Sequence, residues 1–477
     1  KINARSYQLH INGNRLRTSK LTVDSGMVIL GTAISTDSLN VNYEGTFAFD
    51  PGGNQKDTIG VINGTGALIF GNTELCITGD ADFTSFDTLY GTASIELYPV
   101  MNSVFRSKDN FVFDKIKKAG TSTTTVENSS LRIRNFSVDG GTFDWGTSYN
   151  DTIYDTLFLK NAVMNMGNNS VMFRSLIDSN STINFNYGLL KRFGNDGVID
   201  LGAAQHFSYM YQGLSLRGST GATTKIIPPS NCTIPPVQVN DSGLIEVTGD
   251  FNGSSVMINS GSWNWGTGFT HAVRGMSVYG GKMIFGNSVI VMDSGNLHIG
   301  YAAEIIKGTA KIVLDARFVP QTIYSESDSV LPNILKTDSS ELMINSQLKC
   351  LSFTQTAGKT RFSGFGIKAD STIVFENVDS LINIGGITLQ AGKSITFSGT
   401  AGKPLYCNPE SEWFVNATST LQAFDVVLKN CVASDAPGVA NISSVDSGGN
   451  SNWTFKDDVF PPDNDLTMQL TAIDTGR

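Results

Sequence analysis

Residues that interrupt helices are spread through the whole chain, and they constrain its fold more than any other feature. The longest stretch without Gly, Pro, Asn, Asp or Ser is Leu466–Ile473, eight residues. An average helix has about 11 residues, so no ordinary helix fits between the interruptions. Short alternating apolar and polar runs occur instead, for example Leu131–Arg134, Ile183–Tyr187 and Ile395–Phe397. Turn residues bound each run, which is typical of short half-buried strands, and the sequence therefore predicts an all-β fold.

The chain also contains imperfect copies of one strand–turn–strand unit. Leu131–Gly146 reads LRIRNFSVDGGTFDWG, and Leu244–Gly266 reads LIEVTGDFNGSSVMINSGSWNWG, which aligns with it if seven residues are inserted. Leu348–Gly364 is a weaker third copy. Such repetition predicts a parallel β-helix, or β-solenoid, with ladders of apolar residues inside and of Asn, Ser and Thr at the turns. With about 20 to 25 residues per coil, we expect about 20 coils and a rod about 100 Å long.

One internal segment departs from this pattern. Residues 226–238 hold four of the 13 prolines and separate an N-terminal solenoid stretch, 1–225, from a C-terminal stretch, 239–455. We interpret the segment as a protruding loop or a kink between the two stretches. A row of β-sandwich domains would instead show a linker about every 100 residues.

Composition excludes two classes of protein. Charged residues make up 16% of the chain, against roughly a quarter in an average soluble protein. The net charge of −9 argues against nucleic acid as a partner, because phosphate binding requires a clustered basic face. The longest strictly apolar runs have four residues, such as Met27–Leu30, which is too short for a transmembrane helix.

The five cysteines are too few for a disulfide framework, and their spacing indicates no zinc site. Cys407 and Cys431 are separated by about one coil, so their Cα atoms could come within disulfide distance. The alternative is a pair of buried thiols.

No residue pattern identifies a catalytic centre, a metal site or a cofactor. Asp457–Asp458 is the most suggestive acidic pair for polysaccharide hydrolysis, but it lies in a linker, and we expect no enzyme activity. The four histidines have no HxxxH or HxH spacing. Asp80 with Asp82, and the segment Asp463–Asp465, could supply calcium ligands, although a solvated turn is the alternative.

Three tryptophans recur at the ends of related units: Trp145, Trp263 and Trp265. If they point outward, they could form platforms on which sugars stack. If they point inward, they fill the corners of the coils, as aromatic side chains commonly do in cores.

The last quarter of the chain carries the most specific resemblance. Trp413–Phe455 contains an Asn-Cys step, a loop of small residues and the closing pattern from Ser444 through Asn450 to Trp453. This arrangement resembles the final coils of large secreted bacterial cell-surface proteins built from parallel β-helix repeats. Members of that family are adhesin-like or structural exoproteins, so the resemblance implies secretion and a place at the cell surface.

Residues 456–477 begin as a charged, proline-containing linker. Leu466–Arg477 resembles the first strand of a fibronectin-III-like domain, and an ordered assembly tail is the alternative. Together these features predict a secreted structural β-solenoid that assembles with itself through its terminal segments into a filament, sheath or surface stalk. A cell-surface adhesin that binds polysaccharide is the alternative function, and a polysaccharide lyase or hydrolase is a third.

Overall fold

The computed structural model describes residues 8–13, 15–49, 56–127, 129–146, 150–204, 206–209, 213–230, 232–317, 319–326, 328–400 and 402–456. These residues form strands and no helix. Parallel coils stack into a β-solenoid of about 21 turns, which confirms the predicted fold class and the predicted number of coils.

The strands range from 2 to 16 residues in length. In the first part of the chain they are β1 (Gln8–Asn12), β2 (Leu16–Gly31), β3 (Ile34–Ala48), β4 (Lys56–Gly64), β5 (Ala67–Ile69), β6 (Glu74–Ile77), β7 (Ala81–Asp82), β8 (Thr88–Tyr90), β9 (Ser94–Leu97), β10 (Ser103–Arg106), β11 (Val112–Ala119), β12 (Thr123–Val126), β13 (Arg132–Asp144), β14 (Asn150–Asn165), β15 (Ser170–Ser179), β16 (Thr182–Asn186), β17 (Leu189–Arg192), β18 (Gly197–Ala203), β19 (His206–Tyr209), β20 (Leu214–Leu216), β21 (Thr223–Ile227), β22 (Val237–Val247), β23 (Asn252–Asn264), β24 (Thr270–Ile284) and β25 (Val289–Met292). The remaining strands are β26 (Leu297–Ile306), β27 (Lys311–Leu314), β28 (Gln321–Ser325), β29 (Asn333–Lys336), β30 (Glu341–Ile344), β31 (Leu348–Cys350), β32 (Phe353–Gln355), β33 (Lys359–Phe362), β34 (Ile367–Ala369), β35 (Thr372–Glu376), β36 (Ser380–Ile382), β37 (Thr388–Ala391), β38 (Ser394–Ser398), β39 (Leu405–Cys407), β40 (Trp413–Ala417), β41 (Thr420–Phe424), β42 (Val426–Leu428), β43 (Cys431–Asp435), β44 (Gly438–Ala440), β45 (Val445–Asp446) and β46 (Trp453–Phe455).

The described residues form two compact units. Unit 1 comprises residues 1–291 and 300–310, and unit 2 comprises residues 292–299 and 311–477. In unit 2, the strands β31, β34, β37, β40 and β43 form a separate sheet of five strands.

The proline-rich segment lies inside unit 1. It begins in β21, and its last residues open β22. Pro228, Pro229 and Pro235 are buried, and the N–H of Ile234 donates to the carbonyl of Asn252 at 2.7 Å. The segment is therefore packed against the next coil.

Inside the solenoid, equivalent positions of successive coils carry the same kind of side chain. One ladder in unit 1 pairs Leu157 with Leu176, then Ile199, Ile226 and Val247. All five side chains are at most 1% exposed. Because each coil adds one rung, the alternating sequence pattern becomes a continuous apolar core.

Asparagine side chains bond from coil to coil at the corners, as the sequence predicts. The amide of Asn180 donates to the Oδ1 of Asn161 at 2.7 Å, and both residues have positive φ, 62° and 48°. Asn259 donates in the same way to Asn240 at 2.8 Å. Each pair of amides is hydrogen-bonded, and at Asn161 and Asn180 the backbone adopts the left-handed conformation that Asn tolerates better than most residues.

The two clearest copies of the strand–turn–strand repeat both lie in unit 1, at equivalent places in their coils, but they align differently from the prediction. β13 and β23 each have 13 residues, and each is followed by a tryptophan and a glycine. Leu131–Gly146 therefore matches Phe251–Gly266 directly. The predicted insertion of seven residues is wrong, because Leu244–Val247 belongs to the preceding strand, β22.

After each of these two matched repeats, a buried polar side chain accepts a hydrogen bond from the backbone N–H of the first residue of the repeat. Asp151 accepts a hydrogen bond from the N–H of Leu131 at 2.6 Å. At the equivalent corner, the Nδ1 of His271 accepts from the N–H of Phe251 at 3.1 Å, and its Nε2 lies 2.8 Å from the carbonyl oxygen of Trp265. Both Asp151 and His271 are fully buried. Burial raises the pKa of Asp151 to about 7 and lowers the pKa of His271 to about 4.

We expect Asp151 to make the fold less stable as the pH rises from about 4 to about 7. The unfolded chain loses this proton near pH 3.8, whereas the folded chain holds it until about pH 7. The folded state therefore binds more protons in this window, and its stability decreases with pH. Unfolding midpoints of the unaltered protein and of Asp151→Asn, measured at matched pH values, test this. The difference between the two midpoints should change across the window, and parallel pH profiles would contradict the prediction.

Long charged and amide side chains are buried at other corners. Lys118 is fully buried, and its Nζ donates to the carbonyls of Ala119 and Gly120, both at 3.1 Å. Burial lowers the pKa of Lys118 to about 8. In unit 2, Lys336 lies at a similar inward position and reaches Asp338. At such tight corners several backbone carbonyls point inward and require hydrogen-bond donors. The ammonium groups of the buried lysines supply these donors.

Candidate functional site

The three recurring tryptophans lie inside the core. Trp145, Trp263 and Trp265 are all 0% exposed. The rings of Trp263 and Trp265 contact each other edge to face, with centroids 5.3 Å apart. The structure thus has the inward, corner-filling arrangement. The glycan-stacking assignment is corrected, because a ring with no exposed surface cannot stack on a sugar.

Cys407 and Cys431 are both buried, and they do not form a disulfide. Cys407 lies on β39 opposite Leu428, whereas Cys431 lies on β43 opposite Trp413. The two strands belong to different sheets, so the ladder does not pair the two sulfurs. Burial, with a smaller effect of Cys431, raises the pKa of Cys407 far above its usual range. The possible bridge between them does not form, and the structure has the alternative of two buried thiols.

The acidic candidates do not form a metal site in the part of the chain that the structure describes. Asp80 accepts from the N–H of Val104 at 2.8 Å, and Asp82 accepts from the N–H of Thr84 at 3.0 Å. Among the described residues no group of three or more His, Cys, Asp or Glu side chains is placed to hold a metal ion. The pair Asp457–Asp458 and the segment Asp463–Asp465 lie outside the described residues.

One surface groove in unit 1 is lined by charged side chains of both signs. It has a volume of about 690 Å³ and includes Asp155, Arg174 and Asp196. The Nη1 of Arg174 lies 3.9 Å from Asp155, and its Nε donates to the carbonyl of Asp196 at 3.3 Å. Two acidic and two basic side chains line the groove, the fourth being Lys225, so the groove carries no net charge.

A second region, in unit 2, combines an exposed aromatic ring with open polar space. Tyr406 on β39 is 53% exposed, and it lines both a groove of about 700 Å³ and another of about 510 Å³. Its partner on the previous coil is Ser380, whose small side chain does not cover the ring. We call the two grooves together the Tyr406 groove.

Polar side chains in the larger part of the Tyr406 groove are not occupied within the protein. Asn383, Asn408 and Ser411 line it and are exposed. Among the described residues, none of these three side chains makes a hydrogen bond. Gly385 allows the hydroxyl of Ser411 to approach the backbone closely, since a Cβ there would lie 2.2 Å from the Oγ of Ser411.

The charge of the Tyr406 groove is slightly negative. Glu410 lines its larger part, and Asp379 and Lys403 line its smaller part. These side chains give one net negative charge, which disfavours an anionic ligand.

Sequence reasoning did not identify Tyr406. The sequence did contain a signal for it, because Tyr406 is flanked by two apolar residues, Leu405 and Cys407. Such alternation places Tyr406 on the outer face. What the sequence did not show is the open space around the ring, which depends on turns contributed by three different coils.

None of the described residues forms a helix long and apolar enough to span a membrane. No protein-family model matches the chain, and no curated protein or solved structure is significantly similar to it.

Proposed function

We propose that the protein is a structural β-solenoid of the cell exterior and contributes to a surface stalk, filament or sheath. The observation that carries the proposal is the parallel ladder, in which strands of neighbouring coils pair in register within each unit. Such stacking makes a chain stiff and resistant to local opening, because every coil is hydrogen-bonded to its neighbours. The resemblance of Trp413–Phe455 to secreted bacterial surface proteins supports the extracellular location.

Self-association through a terminal coil is the proposed mode of assembly. Among the described residues, β1 pairs with β2 alone. The other edge of β1 therefore has backbone N–H and C=O groups with no strand partner in the described part of the chain. Leu9 in this strand is 36% exposed. An open strand edge of this kind is a template for pairing with another chain.

The association state tests the proposal. Sedimentation velocity and negative-stain electron microscopy of the purified chain over a series of dilutions should show assemblies that shorten on dilution. Leu9→Lys should reduce assembly, because lysine at a strand edge opposes pairing. Val100→Lys adds the same charge in a loop where the side chain is 81% exposed, and it should assemble normally. A constant monomer mass at every concentration would overturn the filament proposal.

A further inference from the structure

We propose that the Tyr406 groove binds a neutral oligosaccharide, with the ring of Tyr406 stacked on the face of a sugar. The inference is independent of the structural role proposed above, since a monomeric solenoid could bind sugar equally well. It rests on the exposed ring, the unoccupied polar side chains beside it and the charge of the groove.

The ring of Tyr406 is suited to one face of a sugar. A pyranose has apolar C–H faces and a rim of hydroxyls, so it matches an aromatic surface with polar groups at its edge. Tyr406 is 53% exposed, and its ladder partners are the small Ser380 on the preceding coil and Val427 on the next. Buried aromatic rings of unit 2 contact one another instead, as Phe375 and Phe397 do with their ring centroids 5.7 Å apart.

The polar groups beside the ring suit sugar hydroxyls. Asn383 and Asn408 each present an amide that can both donate and accept, and Ser411 adds a hydroxyl. None of these side chains has a hydrogen-bond partner among the described residues. A sugar could therefore replace the water that solvates them without breaking a bond inside the protein.

Other ligand classes fit the groove less well. A protein partner would require a larger surface with an apolar centre, whereas polar side chains and glycines make up much of the lining here. A nucleic acid or an acidic polysaccharide would meet the carboxylates of Asp379 and Glu410 with only Lys403 to balance them. A neutral glycan is the class that the groove favours.

Calorimetric titration with maltohexaose and cellohexaose, using hexagalacturonate as the anionic comparison, tests the inference. We expect at least one neutral hexasaccharide to bind and hexagalacturonate to bind more weakly. Tyr406→Ala should weaken binding about tenfold, the effect of losing roughly 1.4 kcal/mol of stacking. Tyr406→Phe should retain most of the affinity, because it keeps the ring.

Two further variants distinguish binding in the Tyr406 groove from nonspecific binding to exposed aromatic rings elsewhere on the protein. Asn408→Ala should also weaken binding, and its exposed position makes a folding defect unexpected. Tyr301→Ala removes a ring that is 85% exposed in unit 1 and should bind like the unaltered protein. The inference is overturned if neither neutral probe binds, if hexagalacturonate binds more tightly, or if Tyr406→Ala and Tyr301→Ala bind equally well.

Discussion

Replacing Asp338 by alanine should destabilise unit 2 by about 3 to 5 kcal/mol, the usual cost of removing one partner of a buried ion pair. The Nζ of Lys336 lies 2.7 Å from the Oδ1 of Asp338, and the two side chains are 0% and 2% exposed. Burial opposes the ionisation of Asp338, but hydrogen bonds from Lys336 and Ser340 outweigh it and lower its pKa. Burial lowers the pKa of Lys336. The alanine variant leaves this buried ammonium without its counter-charge.

The double variant Lys336→Met/Asp338→Ala distinguishes a missing partner from a general loss of packing. The double variant also removes the buried ammonium, so no uncompensated charge remains inside the unit, and it should be more stable than Asp338→Ala alone even though the bond from the Nζ of Lys336 to the carbonyl of Asp338 is lost. Asp328→Ala is the matched control, because Asp328 pairs with Lys349 at 2.5 Å on the surface, where its side chain is fully exposed. Chemical unfolding followed by circular dichroism measures all three. If the double variant is as unstable as Asp338→Ala, the pairing explanation is wrong.

The buried charges show where reasoning from the sequence reached its limit. Alternation in Ile334–Leu335–Lys336 places Lys336 on the same face as Ile334, and the structure has it there. Arg192 likewise lies on the same inward face as Leu190, two residues earlier, and Gln355 lies on the same inward face as Phe353. A charged residue at an inward position normally argues against burial. Only the three-dimensional corner, with its inward carbonyls, supplies the partners that make burial acceptable.

Coil stacking was predictable because it depends on local signals. Period-two alternation with glycine and asparagine turns repeats along the chain, and each coil requires only its neighbours. The exact register was harder to predict. Cys407 and Cys431 have about the right sequence separation for one coil, but the register pairs Cys407 with Leu428 and Cys431 with Trp413, on different sheets.

Sequence also could not decide the orientation of the recurring tryptophans. Trp263 and Trp265 are two positions apart, so they must share a face, but either face was compatible with the local pattern. In the structure Phe251 contacts both rings, with centroids 5.8 and 5.7 Å away. Phe251 belongs to the same coil as both tryptophans, so this contact crosses the inside of one coil and depends on where the chain turns; it makes the inward face the one that buries the most aromatic surface.

Replacing Phe375 by alanine should destabilise unit 2 by about 3 to 5 kcal/mol, the usual cost of truncating a buried phenylalanine. Phe375 is 0% exposed and lies between Phe353 and Phe397, with ring centroids 5.6 and 5.7 Å away. Phe397 in turn contacts Trp413 at 5.7 Å. The variant therefore leaves a cavity in the middle of a column of four rings, and a rigid column cannot collapse to fill it.

The location of the damage is as informative as its size. Because each coil contacts only its neighbours, hydrogen exchange should accelerate most in the strands that carry the column, namely β32, β35, β38 and β40. Phe414→Ala is the matched control, since Phe414 lies in the same unit with its ring 38% exposed, and truncating it should change exchange little. Acceleration spread evenly over all strands of unit 2 would contradict a solenoid with nearest-neighbour coupling. It would mean that the unit unfolds as one cooperative body, so that removing one ring lowers the stability of every coil equally.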